Sequence, residues 1–216
     1  MATIIDVPCG VGLTSPRFDP VRPQNVARME GRFTERDVFA TPYWVADYVS
    51  PTTRLAHIGE LDAFFMAIED GAFARCFDMT RPRPLEYLRG ALSGVRAGGG
   101  AFNGTATLSA IVNSRTLTIT GLPANWQLRA GDYLEVRQSP TVLSLHRVAA
   151  DAKASAGGLV TVQIRFALDL QNFSTAALIN FEKPSFLGQI DPGSYQAARR
   201  RGDRGVSFSV QEVFPG

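Results

Sequence analysis

From residue 100 onward the hydrophobic pattern has a period of two, broken at short intervals by turn residues. The segments Thr105–Val112, Arg115–Thr120, Asp132–Arg137, Leu143–Val148 and Leu159–Phe166 each read as a strand. The last alternates most cleanly, with Val160, Val162, Ile164 and Phe166 on one face and Thr161, Gln163 and Arg165 on the other. Gly131-Asp132 and Gly157-Gly158 are the turn pairs that feed two of these strands. Short strands at this spacing predict a small closed barrel or sandwich.

A period of 3.6 takes over only once. Leu61, Phe64, Phe65 and Ile68 form one apolar stripe, which predicts a helix over Glu60–Asp70. Glu60 and Asp62 then fall in its first turn, and Gly71 is the stop. Before it, Val38–Val49 reads as a strand pair or bulged strand, broken by Pro42 in a way that suits a sheet edge. Residues 1–35 are irregular and rich in Pro, Arg and Gly, as in an extended arm on a neighbour or a frayed terminus. After the helix come a strand-like run, Phe73–Met79, and the extended Arg81-Pro82-Arg83-Pro84. Gly98–Gly100 marks a boundary. Near the C-terminus, Val206, Phe208, Val210 and Phe214 alternate with polar residues. The expected fold is mainly β with one α-helix. A β-sandwich-like N-terminal domain spans 1–95, and a small β-barrel or sandwich module spans 96–182. A loop and strand at 183–216 return to the first domain's sheet.

Composition narrows the function more than the fold. The 216 residues are 45% hydrophobic with a net charge of +2, too weak a field to draw the chain to nucleic acid or to an acidic membrane. Lysine occurs only at Lys153 and Lys183, which leaves 20 arginines. A GC-rich genome explains that bias; so does contact-surface chemistry, since guanidinium pairs with carboxylates and stacks on aromatics. Cys9 and Cys76 make no disulfide framework. The N-terminus lacks the basic and apolar regions of a signal peptide, and no run is long enough to span a membrane, so synthesis in a cytoplasm is expected.

Catalytic signatures are missing. His57 and His146 stand in unrelated contexts, no G-x-S-x-G occurs, and the cysteines and histidines have no zinc spacing. Glu69, Asp70, Asp132 and Glu135 read as solvated charge. The tract Gly94–Gly104 lacks the Lys-Ser/Thr of a phosphate loop and reads as a linker or hairpin tip. The Arg199–Arg201 cluster with Arg204 has no interleaved aromatics, which argues against specific nucleic-acid binding. No metal, cofactor or catalytic residue is expected.

The stretches PYWVADYVSPTTR, ELDAFFMAIEDG, the Arg-Pro-Arg-Pro that follows, and GLPANWQLRAGDYLEV continuing through LHRVAADAKASAGGLVTVQIRFAL occur in an order that resembles tail-tip proteins of siphophages. They are similar to the distal tail protein, over roughly residues 40–170. The motifs carrying the resemblance are structural. It implies a non-enzymatic adaptor in the virion tail tip, made in the bacterial host cytoplasm. Such subunits form a hexameric ring that joins the tail tube protein to the baseplate hub and receptor-binding apparatus. The helix would back the ring-forming sheet, and the 100–170 barrel would be the outer module. The long hairpin by which such rings clasp neighbours has no evident counterpart here, unless the 1–35 arm or the 183–205 loop serves.

Subunit-interface candidates are therefore Phe18, Arg22, Arg81, Arg83, Arg199, Arg200, Arg201 and Arg204. Phe33, Phe39, Tyr43 and Trp44 also lie in the least regular third of the chain, with ordinary core the better reading for Trp44. The alternative function is a carbohydrate-binding module gripping host surface polysaccharide through Phe102, Trp126 and Tyr133. A weaker third option is a flavin-binding split barrel.

Overall fold

The computed structural model describes residues 2–199 and 203–215, with backbone alone at 51–56, 198–199 and 203–204. The chain is mainly β, with one α-helix. Strands Ile4–Asp6, Thr14–Val21, Tyr43–Arg54, Phe73–Phe77, Ser185–Ile190, Gln196–Arg199 and Asp203–Glu212 form a seven-stranded sheet. Asp203–Glu212 pairs antiparallel with both Tyr43–Arg54 and Ser185–Ile190. Pro42 precedes Tyr43–Arg54 instead of breaking it, and that strand is paired on both sides, so it is interior and not the edge expected from the proline. The edge is Thr14–Val21, within the segment expected to be irregular, and it carries Pro16 and Pro20. An edge tolerates proline because outward N–H positions need no partner, and each missing donor blunts the edge against further pairing.

The helix runs Leu55–Glu69, starting ahead of the predicted Glu60. Its first turn holds no acidic residue, so Glu60 and Asp62 belong to the helix body and gain little from the dipole. Periodicity reported the packed face and missed the first turn. The stop is as expected: Gly71 adopts φ +92, its N–H donates to the Ile68 carbonyl (2.9 Å), and the Ala72 N–H donates to that of Ala67 (3.1 Å). Leu61, Phe64 and Phe65 are buried, and both phenylalanines pack on Phe208, which stacks on Tyr48.

A second, six-stranded sheet has the order Leu143–Arg147, Tyr133–Arg137, Leu178–Asn180, Thr105–Asn113, Thr116–Thr120, Val160–Gln163. It curls until its end strands meet at a Val148–Ile164 bridge, flanked by Ala149 N–H to Gln163 O (2.7 Å) and Arg165 N–H to Arg147 O (2.9 Å). Leu108, Leu117, Ile119, Val162 and Ile179 fill the interior of this barrel. Strand Tyr133–Arg137 is buried on both faces. Leu134 and Val136 point into the barrel, while Tyr133 joins the core of the seven-stranded sheet.

That face is the junction. Phe18 meets Trp44, Tyr133 and Phe186 with ring centroids 5.5–5.6 Å apart, and Trp44 Nε1 donates to the Leu145 carbonyl (2.7 Å). Trp44 and Tyr48 share one face of their strand, so helix and barrel lie side by side over the same face of the sheet. Tyr133 Oη donates to buried Asp78 (3.2 Å) and accepts from Arg147 (2.8 Å), which also donates to the Phe18 carbonyl (2.8 Å). Glu135, fully buried, accepts from the Ser185 N–H (3.0 Å) and hydroxyl (2.9 Å), from Asn180 and from Arg137. Asp132 accepts from the N–H groups of Leu85 and Arg129. The expectation of solvated charge at 132 and 135 is thus corrected: both carboxylates are buried because each has a full set of donors.

Two substitutions test this packing. Tyr133→Phe removes one hydroxyl from between Asp78 and Arg147 and should cost ~1–3 kcal/mol of stability in urea unfolding. Gly188→Ala should cost about 1–3 kcal/mol, because a Cβ there would lie 2.4 Å from Val210 Cγ1 and 2.8 Å from the Gln211 carbonyl.

Candidate functional site

Two features stand outside these cores. The first is a hairpin, Gln24–Arg28 paired with Thr34–Val38, that is exposed along its whole length and pairs with neither sheet. Its loop, Glu30–Arg32, closes with Met29 N–H to Phe33 O (3.0 Å) and Arg32 N–H to Met29 O (3.1 Å). Arg32 sits at φ +63, a conformation that costs a non-glycine residue roughly 1–2 kcal/mol. The strand register puts Val26, Val38, Arg28 and Arg36 on one face, and Ala27, Met29, Phe33, Glu35 and Asp37 on the other. One face is basic and the other acidic. Phe33 is 77% exposed, Phe39 68% and Met29 56%.

The second feature is a cleft of about 510 Å³ beside the hairpin's root, with Thr41 and Pro42 on its rim. Trp44, Leu145, Phe166, Phe173 and Phe214 contribute apolar wall, so Phe166 leaves the barrel alternation and faces this space. Its polar residues include Ser144, His146, Asp169, Asn172 and Glu212, with no lysine or arginine among the lining residues. One Glu212 oxygen accepts from the Trp44 N–H (2.9 Å). Burial lifts this carboxyl to about 8, against that hydrogen bond. Burial pushes His146 down to about 4, so its imidazole is neutral at pH 7. His146 Nε2 lies 3.0 Å from Ser144 Oγ, but Nδ1 has no partner. A serine–histidine pair without a carboxylate on Nδ1 lacks the group that would hold the tautomer for nucleophilic catalysis. Among the described residues no three His, Cys, Asp or Glu side chains gather as a metal site, and no helix is long and apolar enough to cross a membrane.

The predicted interface residues scatter. Phe18 is buried in the junction and touches the chain's own aromatics. Arg81 donates to the Gly131 carbonyl (2.8 Å), and Arg83 forms a two-pronged pair with Glu182. The Arg-Pro-Arg-Pro segment therefore stitches the sheet to the barrel, and its arginines are spent inside the chain. Arg22 is exposed, with its guanidinium 5.3 Å from the Phe166 ring centre. Arg199 and Arg204 face each other in strand pairing, while Arg200 and Arg201 lie outside the described residues.

The predicted glycan-binding residues are buried in two separate cores. Phe102 and Trp126 pack in the barrel, where Trp126 stacks on Tyr87 at 3.7 Å, and Tyr133 lies in the junction. They present no shared exposed aromatic surface. Sequence reasoning missed Glu212 and the cleft, whose walls come from four distant segments. It also missed the hairpin, although Phe33 and Phe39 were noted. No protein-family model matches the chain, and no curated protein matches it.

The cleft's titrations make stability depend on pH. Folded Glu212 holds its proton from 4.5 up to about 8 while the unfolded chain has lost it, so stability falls as pH rises through that window. His146 acts oppositely: the unfolded chain takes up a proton below 6.5 and the folded chain only near 4, so stability falls as pH drops from 6.5 to 4. The two oppose each other between 4.5 and 6.5, leaving Glu212 alone above. Urea unfolding from pH 6.5 to 8 should show a decline of at most about 1.4 kcal/mol per pH unit, lost in Glu212→Gln.

Proposed function

We propose that the chain is a structural subunit of a siphophage tail tip, a ring-forming adaptor of the distal-tail-protein kind that links the tail tube to the baseplate hub. The observation that carries this reading is the hairpin at 24–38, exposed throughout and tipped with Met29 and Phe33. An isolated two-stranded hairpin is marginal in water, and exposed phenylalanine at its end is a cost unless another chain covers it. Subunits whose resemblance is to clasping rings need such an arm, and the hairpin lies largely within the 1–35 segment that the sequence offered as one of two candidates for it. The split charge of the hairpin's faces fits contact between unlike surfaces, the kind that closes rings. The remaining structure is scaffold: two packed cores whose buried carboxylates are committed to internal hydrogen bonds. In this reading the protein resides in the virion tail tip and makes or breaks no bonds.

Light scattering coupled to size exclusion, followed by negative-stain microscopy of the purified chain, should give ring-shaped oligomers, six copies being the expected number. Replacing residues 25–37 by a short Gly-Ser turn should leave folded monomers. A wild-type chain that remains monomeric at high concentration, and that antibodies fail to find at virion tail tips, would refute the assignment.

A further inference from the structure

We propose that the cleft bounded by Trp44, Phe166 and Glu212 receives the hairpin tip of a second copy of this chain, Phe33 entering the apolar space and Arg32 reaching the Glu212 carboxyl. This rests on the oligomeric reading above and names the surface that the arm engages. Three observations carry it.

The first is complementarity. The cleft has aromatic walls, the Asp169 carboxylate and the Glu212 carboxyl, protonated at neutral pH; no cation is among its lining residues, though Arg22 stands 5.3 Å from the Phe166 ring centre. The tip offers an exposed Phe33 with the Arg32 cation beside it in the loop; Arg28 lies on the opposite face, and Glu35 and Asp37, which share Phe33's face, lie further down the arm. Guanidinium groups favour aromatic surfaces and pair with carboxylates through a planar fork. The Trp44 N–H holds one Glu212 oxygen, and buried His146 Nδ1 has no partner among the described residues.

The second is reach. The hairpin springs from the cleft's own rim at Thr41 and Pro42, and its five-residue strands carry the tip roughly 17 Å away. A chain's own tip is therefore held away from its own cleft, so a tip entering it would be a neighbour's. Donor and acceptor are different patches on each copy, so the contact is head-to-tail.

The third is backbone conformation. Arg32 occupies the left-handed region at the loop position where glycine is the cheap choice. Retaining a long cationic side chain there fits a role for that side chain in contact.

The test uses the full chain in three forms. The tip variant is Arg32→Glu with Phe33→Ala. The cleft variant is Glu212→Gln, which keeps an oxygen for the Trp44 N–H, with Ala167→Trp on the exposed rim. Urea unfolding establishes that each variant is folded, and Glu212→Gln alone serves if the tryptophan perturbs the fold. In sedimentation velocity each variant alone should self-associate at least tenfold more weakly than wild type. Mixed one to one, intact tips of one should find intact clefts of the other and give heterodimers that do not grow further. If the folded cleft variant assembles like wild type, the tip docks elsewhere and this inference falls while the oligomeric reading stands. A monomeric wild type removes both.

Discussion

The barrel is seated on the sheet by a buried polar knot, and the positions of hairpin and cleft both depend on it. Tyr133, Arg147 and Asp78 come from two barrel strands and from the loop after Phe73–Phe77, and their hydrogen bonds lie within an aromatic cluster made by Phe18, Trp44 and Phe186. Such groups are costly to bury alone and directional when paired, so they fix orientation more strictly than apolar contact does. Glu135 repeats the arrangement a short distance along the same strand, binding Ser185 of the neighbouring sheet. Two such stitches on one strand prevent the barrel from swivelling.

That rigidity has a consequence at the surface. The cleft is the gap left where barrel and sheet diverge beyond Trp44 and Leu145, a pair tied together by the indole N–H. Because the hairpin leaves the sheet through Thr41 and Pro42, the arm's root and the cleft lie side by side. In the proposed assembly the angle between them would set the rotation between successive copies, and hence whether a head-to-tail contact closes. The helix plays no part in this geometry; it covers the remainder of the sheet face through Phe64 and Phe65.

Local pattern made much of the fold legible. Val160, Val162 and Ile164 alternate and are buried, and Leu61, Phe64 and Phe65 follow helical spacing onto the core. Gly71 marked the helix end because only the backbone near it is involved. What failed to show was non-local. The edge strand Thr14–Val21 carries prolines, which read as irregularity unless its position in the sheet is known. Leu178–Asn180, three residues long, has too few positions for a period to appear, yet it bridges two barrel strands. Buried Asp132 and Glu135 looked like surface charge, since their donors come from residues 85, 129, 137, 180 and 185. The hairpin at 24–38 was hidden by its composition: strands with no buried face carry no hydrophobic alternation to read.

The central claim is that this arm is completed by another chain. Hydrogen–deuterium exchange, measured across a dilution series of the wild-type protein, tests it most directly. The account predicts that amides of residues 24–38 exchange fast in dilute solution and become protected as concentration rises, together with those around 41–44 and 212–214, while the barrel core stays protected throughout. Exchange in the hairpin that is independent of concentration, whether fast or slow, would contradict it.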